Sequence, residues 1–130
     1  MSRWQATLTL GSTGNEVLEL PFTPTGYELI CAGKVSGSEV TSYYSYGTYQ
    51  ESDESCFYTC NYEDSTGRLA DPGTDKVLRV VHRVSGNIVD RLRVAHGSID
   101  TNELTLDVEV ADSNLLVFLR IWDDNYEFEP

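Results

Sequence analysis

The chain predicts an all-β protein, a single antiparallel two-sheet β-sandwich with a jelly-roll-like barrel as the alternative, and three observations point there. Leu104, Leu106, Val108 and Val110 alternate with Glu103, Thr105, Asp107 and Glu109, and a period of two places all four apolar side chains on one face of a strand. Turn-forming Gly, Pro, Asn, Asp and Ser recur between such segments at intervals of ~8–12 residues. Helical spacing is sustained nowhere, so about nine strands and no substantial helix are expected.

In chain order, Trp4, Ala6, Leu8 and Leu10 alternate with Gln5, Thr7 and Thr9 as a first strand. Residues 11–15 are a Gly/Asn turn, and Glu16 to Leu20 is read as the strand returning from it. Pro21 and Pro24 cannot continue a ladder, so 21–26 is a corner between sheets. Tyr27 to Lys34 is a third strand. The segments 42–50 and 56–62, separated by an acidic loop at 51–55, carry six of the eight tyrosines: Tyr43, Tyr44, Tyr46, Tyr49, Tyr58 and Tyr62. Tyr43 and Tyr49 fall on one parity, Tyr44 and Tyr46 on the other, so both faces of that strand are expected to carry phenol rings.

Residues 63–75 show no periodic pattern and contain Asp71-Pro72-Gly73, which predicts a long loop with a turn. Val77 to Val84 and Ile88 to His96 form a hairpin across 85–87, with His82 on the apolar parity and Arg79, Arg83, Arg91 and Arg93 on the opposite ones. Residues 97–102 lead into Glu103 to Val110. A second hairpin is expected there, through 111–114 to Leu115 to Trp122. That last strand is apolar at nearly every position and is expected to be covered on both faces. The first, third and last strands are expected to supply the interior.

At 130 residues and 40% hydrophobic composition, there is room for one core, since domains commonly run ~100–150 residues. Residues 1–130 are therefore one domain, ending in an acidic tail at 123–130. No run approaches the ~20 apolar residues of a membrane helix, and residues 1–4 lead directly into strand alternation rather than a signal peptide. The 21 Asp and Glu against nine Lys and Arg give a net charge of −12. A field of that sign repels phosphate backbones, which argues against direct binding of nucleic acid or an anionic membrane. An acidic inhibitor that mimics nucleic acid is a further alternative, but the acids are scattered over strand faces and turns rather than set in a double row.

No metal or cofactor is expected. Cys56 and Cys60, if they share a strand, lie ~13 Å apart at ~3.3 Å per residue, beyond the ~7 Å limit for a bridge, so only pairing of Cys31 with one of them is feasible. Three unpaired thiols are the other reading. A zinc site needs a fourth ligand that only His82 or His96 would bring. Neither histidine sits in a nucleophile or metal motif, and adjacent acids such as Asp123-Asp124 and Glu63-Asp64 are commonplace in so acidic a chain. Catalytic residues are thus none, and the protein is read as not an enzyme. The arginines form a basic patch candidate for a carboxylated partner, or they pair with the protein's own acids near Asp90 and Glu109. The tyrosines are candidates for a binding interface, because exposed rings stack on sugars or anchor protein contacts.

The stretches Leu10-Gly11-Ser12-Thr13-Gly14-Asn15, Leu20 through Leu29, Tyr46-Gly47-Thr48 and Asn102 through Val108 resemble, in order and spacing, small β-sandwich modules of bacteriophage virion proteins. Leu20-Pro21 replaces the glycine before Phe22 in that pattern, and Asn102-Glu103 replaces an Asn/Asp-Gly turn. The resemblance implies a non-enzymatic structural or adhesive protein of the virion, made in the host cytoplasm, such as a capsid decoration, head-fibre or tail-fibre component. Its implied partners are other virion proteins, a host surface, or itself as a homo-oligomer, for example a trimer that buries the tyrosine strands. A carbohydrate-binding module gripping a glycan with its tyrosines is the alternative.

Overall fold

A computed structural model of the chain describes residues 3–35, 41–50, 53–62, 68–73, 75–84 and 87–123, with side chains for part of these. Among these residues ten strands form: β1 (Arg3–Leu10), β2 (Gly14–Glu19), β3 (Gly26–Val35), β4 (Thr41–Gln50), β5 (Asp53–Tyr62), β6 (Arg68–Gly73), β7 (Leu78–Val84), β8 (Asn87–Asp100), β9 (Glu103–Val110) and β10 (Asp112–Trp122). They make two antiparallel sheets, a six-stranded one ordered β1-β10-β3-β4-β5-β6 and a four-stranded one ordered β2-β9-β8-β7. This is the expected sandwich, and no helix occurs among the described residues. The strand beyond the expected nine is β6, within the stretch read as a loop. Pro72 is tolerated there because β6 is the outermost strand of its sheet, where a missing N–H breaks no second ladder.

Two expected hairpins are instead crossings between sheets. β1 pairs with β10 (Leu8 opposite Val117) and β2 pairs with β9 (Leu18 opposite Leu104). Thus β9 and β10 face one another across the core rather than lying side by side. A period of two fixes which face of a strand is apolar but not which strand lies beside it, and a short polar linker serves a bend as well as a hairpin. The β1–β2 ribbon therefore runs along the β9–β10 ribbon, and both bend from one sheet to the other, as in a jelly roll. At the bend a Cβ on Gly11 would lie 3.0 Å from the Ser113 Cβ, and Gly14 has φ 109°, a region open to glycine. The proline corner does link the two sheets. It is pinned by the Leu20 amide donating to the Asn102 carbonyl at 2.8 Å and the Asn102 side chain donating back to the Leu20 carbonyl at 3.1 Å.

The interior is lined by Tyr27, Leu29 and Cys31 from β3, alternate residues of β10, Leu104, Leu106 and Val108 from β9, Leu92 and Val94 from β8, and Leu78, Val80 and Val81 from β7. β1 contributes only Leu10 as a fully buried side chain, because it is an edge strand rather than a central one. β10 is covered on one face only: Leu115, Val117, Leu119 and Ile121 are buried, while Leu116 is 64% and Phe118 38% exposed. In β7 the register slips between Val80 and Val81, and both are buried. The slip leaves Arg91 of β8 without a partner in the ladder, and the side chain of His82, read from sequence as apolar-facing, lies outside the described residues. β8 likewise runs on to Asp100 through a second irregularity between His96 and Ser98, leaving a tight turn in which Thr101 has φ 54°.

The backbones come close at Gly47, where an added Cβ would lie 1.5 Å from the Val77 carbonyl oxygen. Backbone cannot yield as a side-chain tip can, so Gly47→Ala should cost more than the ~1–3 kcal/mol of ordinary overpacking. Leu116→Ala, on an exposed face, should stay within about 0.5 kcal/mol. Urea unfolding followed by tryptophan fluorescence measures both, and equal midpoints for Gly47→Ala and the parent would show that the contact leaves room for a side chain.

Candidate functional site

Three groups of side chains stand out: a cluster between the sheets, an ion-pair network on the four-stranded sheet, and the outer face of the six-stranded sheet.

The cluster joins β3, β4 and β5 to β8. The Tyr27 hydroxyl lies 2.7 Å from His96 Nδ1. The Tyr49 ring stacks on the imidazole with centroids 3.6 Å apart and on Tyr27 at 5.5 Å. Beside the slip in the β8 ladder, the His96 amide donates to Glu54 Oε2 at 3.1 Å. Burial, reinforced by Glu54 and then Tyr49, pushes the Tyr27 phenol far above its ordinary range, so it stays protonated. A buried O–H needs an acceptor. Tyr27 therefore donates to Nδ1, and the imidazole carries its proton on Nε2. Burial lowers the His96 pKa, with Glu54 opposing. Protonating Nδ1 would also remove the acceptor that Tyr27 uses. Tyr27 is wholly buried and offers no phenol to a substrate; the group acts as a clasp between sheets.

The arginines read as a patch divide. Arg79 and Arg93 lie opposite one another in the β7–β8 ladder and share Asp90, each at 2.7 Å. Arg93 also reaches Glu109 at 2.8 Å, and Lys76 reaches the same carboxylate at 3.2 Å. Lys76, Arg79, Arg93 and Glu109 line, with Asp75, an open depression of about 580 Å³, in which the three cations are already tied to the protein's own acids and an anionic ligand would have to displace them. Arg91 leaves this group and pairs with Asp112 at the start of β10. Arg83 lies opposite Ile88 in the ladder, its side chain outside the described residues.

Cys31 is a free, buried thiol, so of the two readings left open for it the unpaired one holds; the side chains of Cys56 and Cys60 lie outside the described residues. Burial pushes its pKa up to about 11, with Asp112 adding to the effect and Arg91 opposing it.

Of the six tyrosines, Tyr49 turns inward to the clasp and Tyr46 outward. Tyr43 and Tyr44 lie opposite Gly33 and Ala32, and Tyr58 and Tyr62 opposite Ser45 and Thr41; these four side chains lie outside the described residues. Tyr46 donates to Glu28 Oε2 at 2.7 Å, and Arg120 donates to Glu28 Oε1 at 2.8 Å. Tyr27, Glu54 and the exposed pair Leu116 and Phe118 were not singled out from sequence. Gly97, directly after His96, is the one local sign of the bulge that frees the His96 amide.

Among the described residues no group of His, Cys, Asp and Glu is placed to hold a metal ion, and no helix is long and apolar enough to cross a membrane. Comparisons with protein-family models, curated proteins and solved structures return no match.

The clasp predicts a stability plateau with two limbs. The unfolded chain takes up a proton on its histidine at a higher pH than the folded one, so stability falls as pH drops below about 6.5. The folded chain holds the Tyr27 proton when the unfolded chain has lost it, so stability also falls as pH rises above about 10. Replacing His96 by Gln should flatten the acid limb relative to the parent in urea titrations at stepped pH; parallel acid limbs would exclude His96 as its source. For Cys31, iodoacetamide at pH 8 followed by peptide mapping should leave the residue unlabelled in the native protein and labelled in urea. Rapid native labelling would contradict its burial.

Proposed function

We propose that the protein is a non-enzymatic contact module of a virion, a capsid decoration or fibre component that works by protein–protein binding. The supporting observation is the outer face of the six-stranded sheet, where Leu116 and Phe118 stand exposed beside half-buried Ile30 and Tyr46. Contiguous apolar surface of this kind suits a partner rather than water. The acid–base groups that do converge, Tyr27 and His96, are used in holding the sheets together. The resemblance of the turn motifs to phage virion modules supports the setting, with other virion proteins or further copies of the chain as partners.

The second reading, a glycan-binding module, is favoured by the same face, since Tyr46 stands next to a carboxylate and a guanidinium that together suit a sugar ring. Tyr49, stacked on His96, is not available as such a platform.

Mass spectrometry of gradient-purified particles should find the chain at a fixed ratio to the major capsid or tail protein; its absence from particles would sink the virion reading. Glycan-array binding abolished by Tyr46→Ala would favour the sugar reading instead.

A further inference from the structure

We propose that the outer face of the six-stranded sheet pairs with the same face of a second copy of this chain, an inference that rests on the contact-module reading and names its partner. Ladder register carries one row across four strands: Thr7 opposite Phe118, Phe118 opposite Ile30 and Ile30 opposite Tyr46. Leu116, two residues before Phe118 on β10, extends the apolar surface and is its most exposed member at 64%. The next row is polar: Gln5 opposite Arg120, Arg120 opposite Glu28 and Glu28 opposite Thr48.

Charge selects the occupant. The chain carries 21 acids and a net charge of −12, so two copies brought together on an ordinary stretch of its surface set carboxylates against carboxylates. Among the described outward side chains of β1, β10, β3 and β4, the only carboxylate is Glu28, and each of its oxygens accepts a hydrogen bond, from Tyr46 and Arg120. This part of the face lets two strongly acidic copies approach with an apolar centre and with Glu28 already tied to Tyr46 and Arg120.

A flat face that meets itself does so about a two-fold axis and closes at two copies, so the assembly is a dimer rather than a trimer. Four strands ~4.8 Å apart and ~30 Å long present roughly 600 Å² per copy. Twice that sits at the low end for specific interfaces, so the dimer forms and separates reversibly with concentration.

Sedimentation velocity on the full chain over a wide concentration range tests this. The parent should shift from monomer to dimer as concentration rises. Added salt should strengthen the association by screening the remaining repulsion. Leu116→Lys, and separately Phe118→Glu, should weaken it by about tenfold or more, with circular dichroism and melting unchanged for at least the Leu116 variant. Val17→Glu, on the other sheet and 52% exposed in the parent, should leave it unaltered. A parent that stays monomeric throughout overturns the proposal, as does a dimer indifferent to folded Leu116→Lys. A monomer that binds glycan through Tyr46 overturns it too and gives the face to a sugar. A monomer found in particles defeats the pairing and leaves the virion reading standing; a dimer missing from particles does the reverse.

Discussion

The closeness of the Val77 carbonyl to Gly47 leaves no room for a side chain there, and the inward residues of β4 fit that constraint. Ser45, two residues before the glycine, is fully buried, and its hydroxyl accepts the Arg79 amide at 3.3 Å. Away from this pinch the gap is filled by leucines and valines of β3, β8, β9 and β10. At the far end of β4, Tyr49 and Tyr27 reach His96 on the opposite sheet. Small residues where backbones nearly touch and rings where they diverge let one strand follow the other sheet along its length, as close packing requires.

Polar groups are distributed to match. The outer surface of the four-stranded sheet carries cations tied to Asp90 and Glu109, while the described outer surface of β1, β10, β3 and β4 carries Phe118, Leu116 and Ile30 beside the tethered carboxylate of Glu28. Partly exposed ion pairs contribute little to stability, ~0–1 kcal/mol each, so the network's main effect is to cancel charge locally in a chain rich in acids. The two sheets thus present different chemistry to solvent: neutralised ions on one, apolar and aromatic groups on the other.

Strand positions and apolar faces were legible because alternation records burial directly. Leu104, Leu106 and Val108 point inward as their spacing implies, and Pro21 and Pro24 mark a true corner between sheets. Partners were not legible, because Leu115 to Trp122 has the same composition whether it completes a hairpin or crosses to the other sheet. The exposed Leu116 and Phe118 broke the rule that continuous apolar runs are covered on both sides, which makes that stretch informative about contact rather than packing. The clasp was least visible, since Tyr27, Tyr49, Glu54 and His96 are distant in sequence and meet only through a ladder irregularity that Gly97 merely hints at.

The pairing of β1 with β10 also bears on how the nascent protein matures. β1 is made long before the strand it pairs with, so the larger sheet cannot acquire that edge until β10 has been synthesised. Loop-closure entropy over the long stretch between them slows that step. Meanwhile the bare ladder edge that β10 will cover, with its tyrosine-rich neighbours, is open to strands of other molecules. Rapid translation at high copy number would therefore favour mispairing between molecules before β10 is in place.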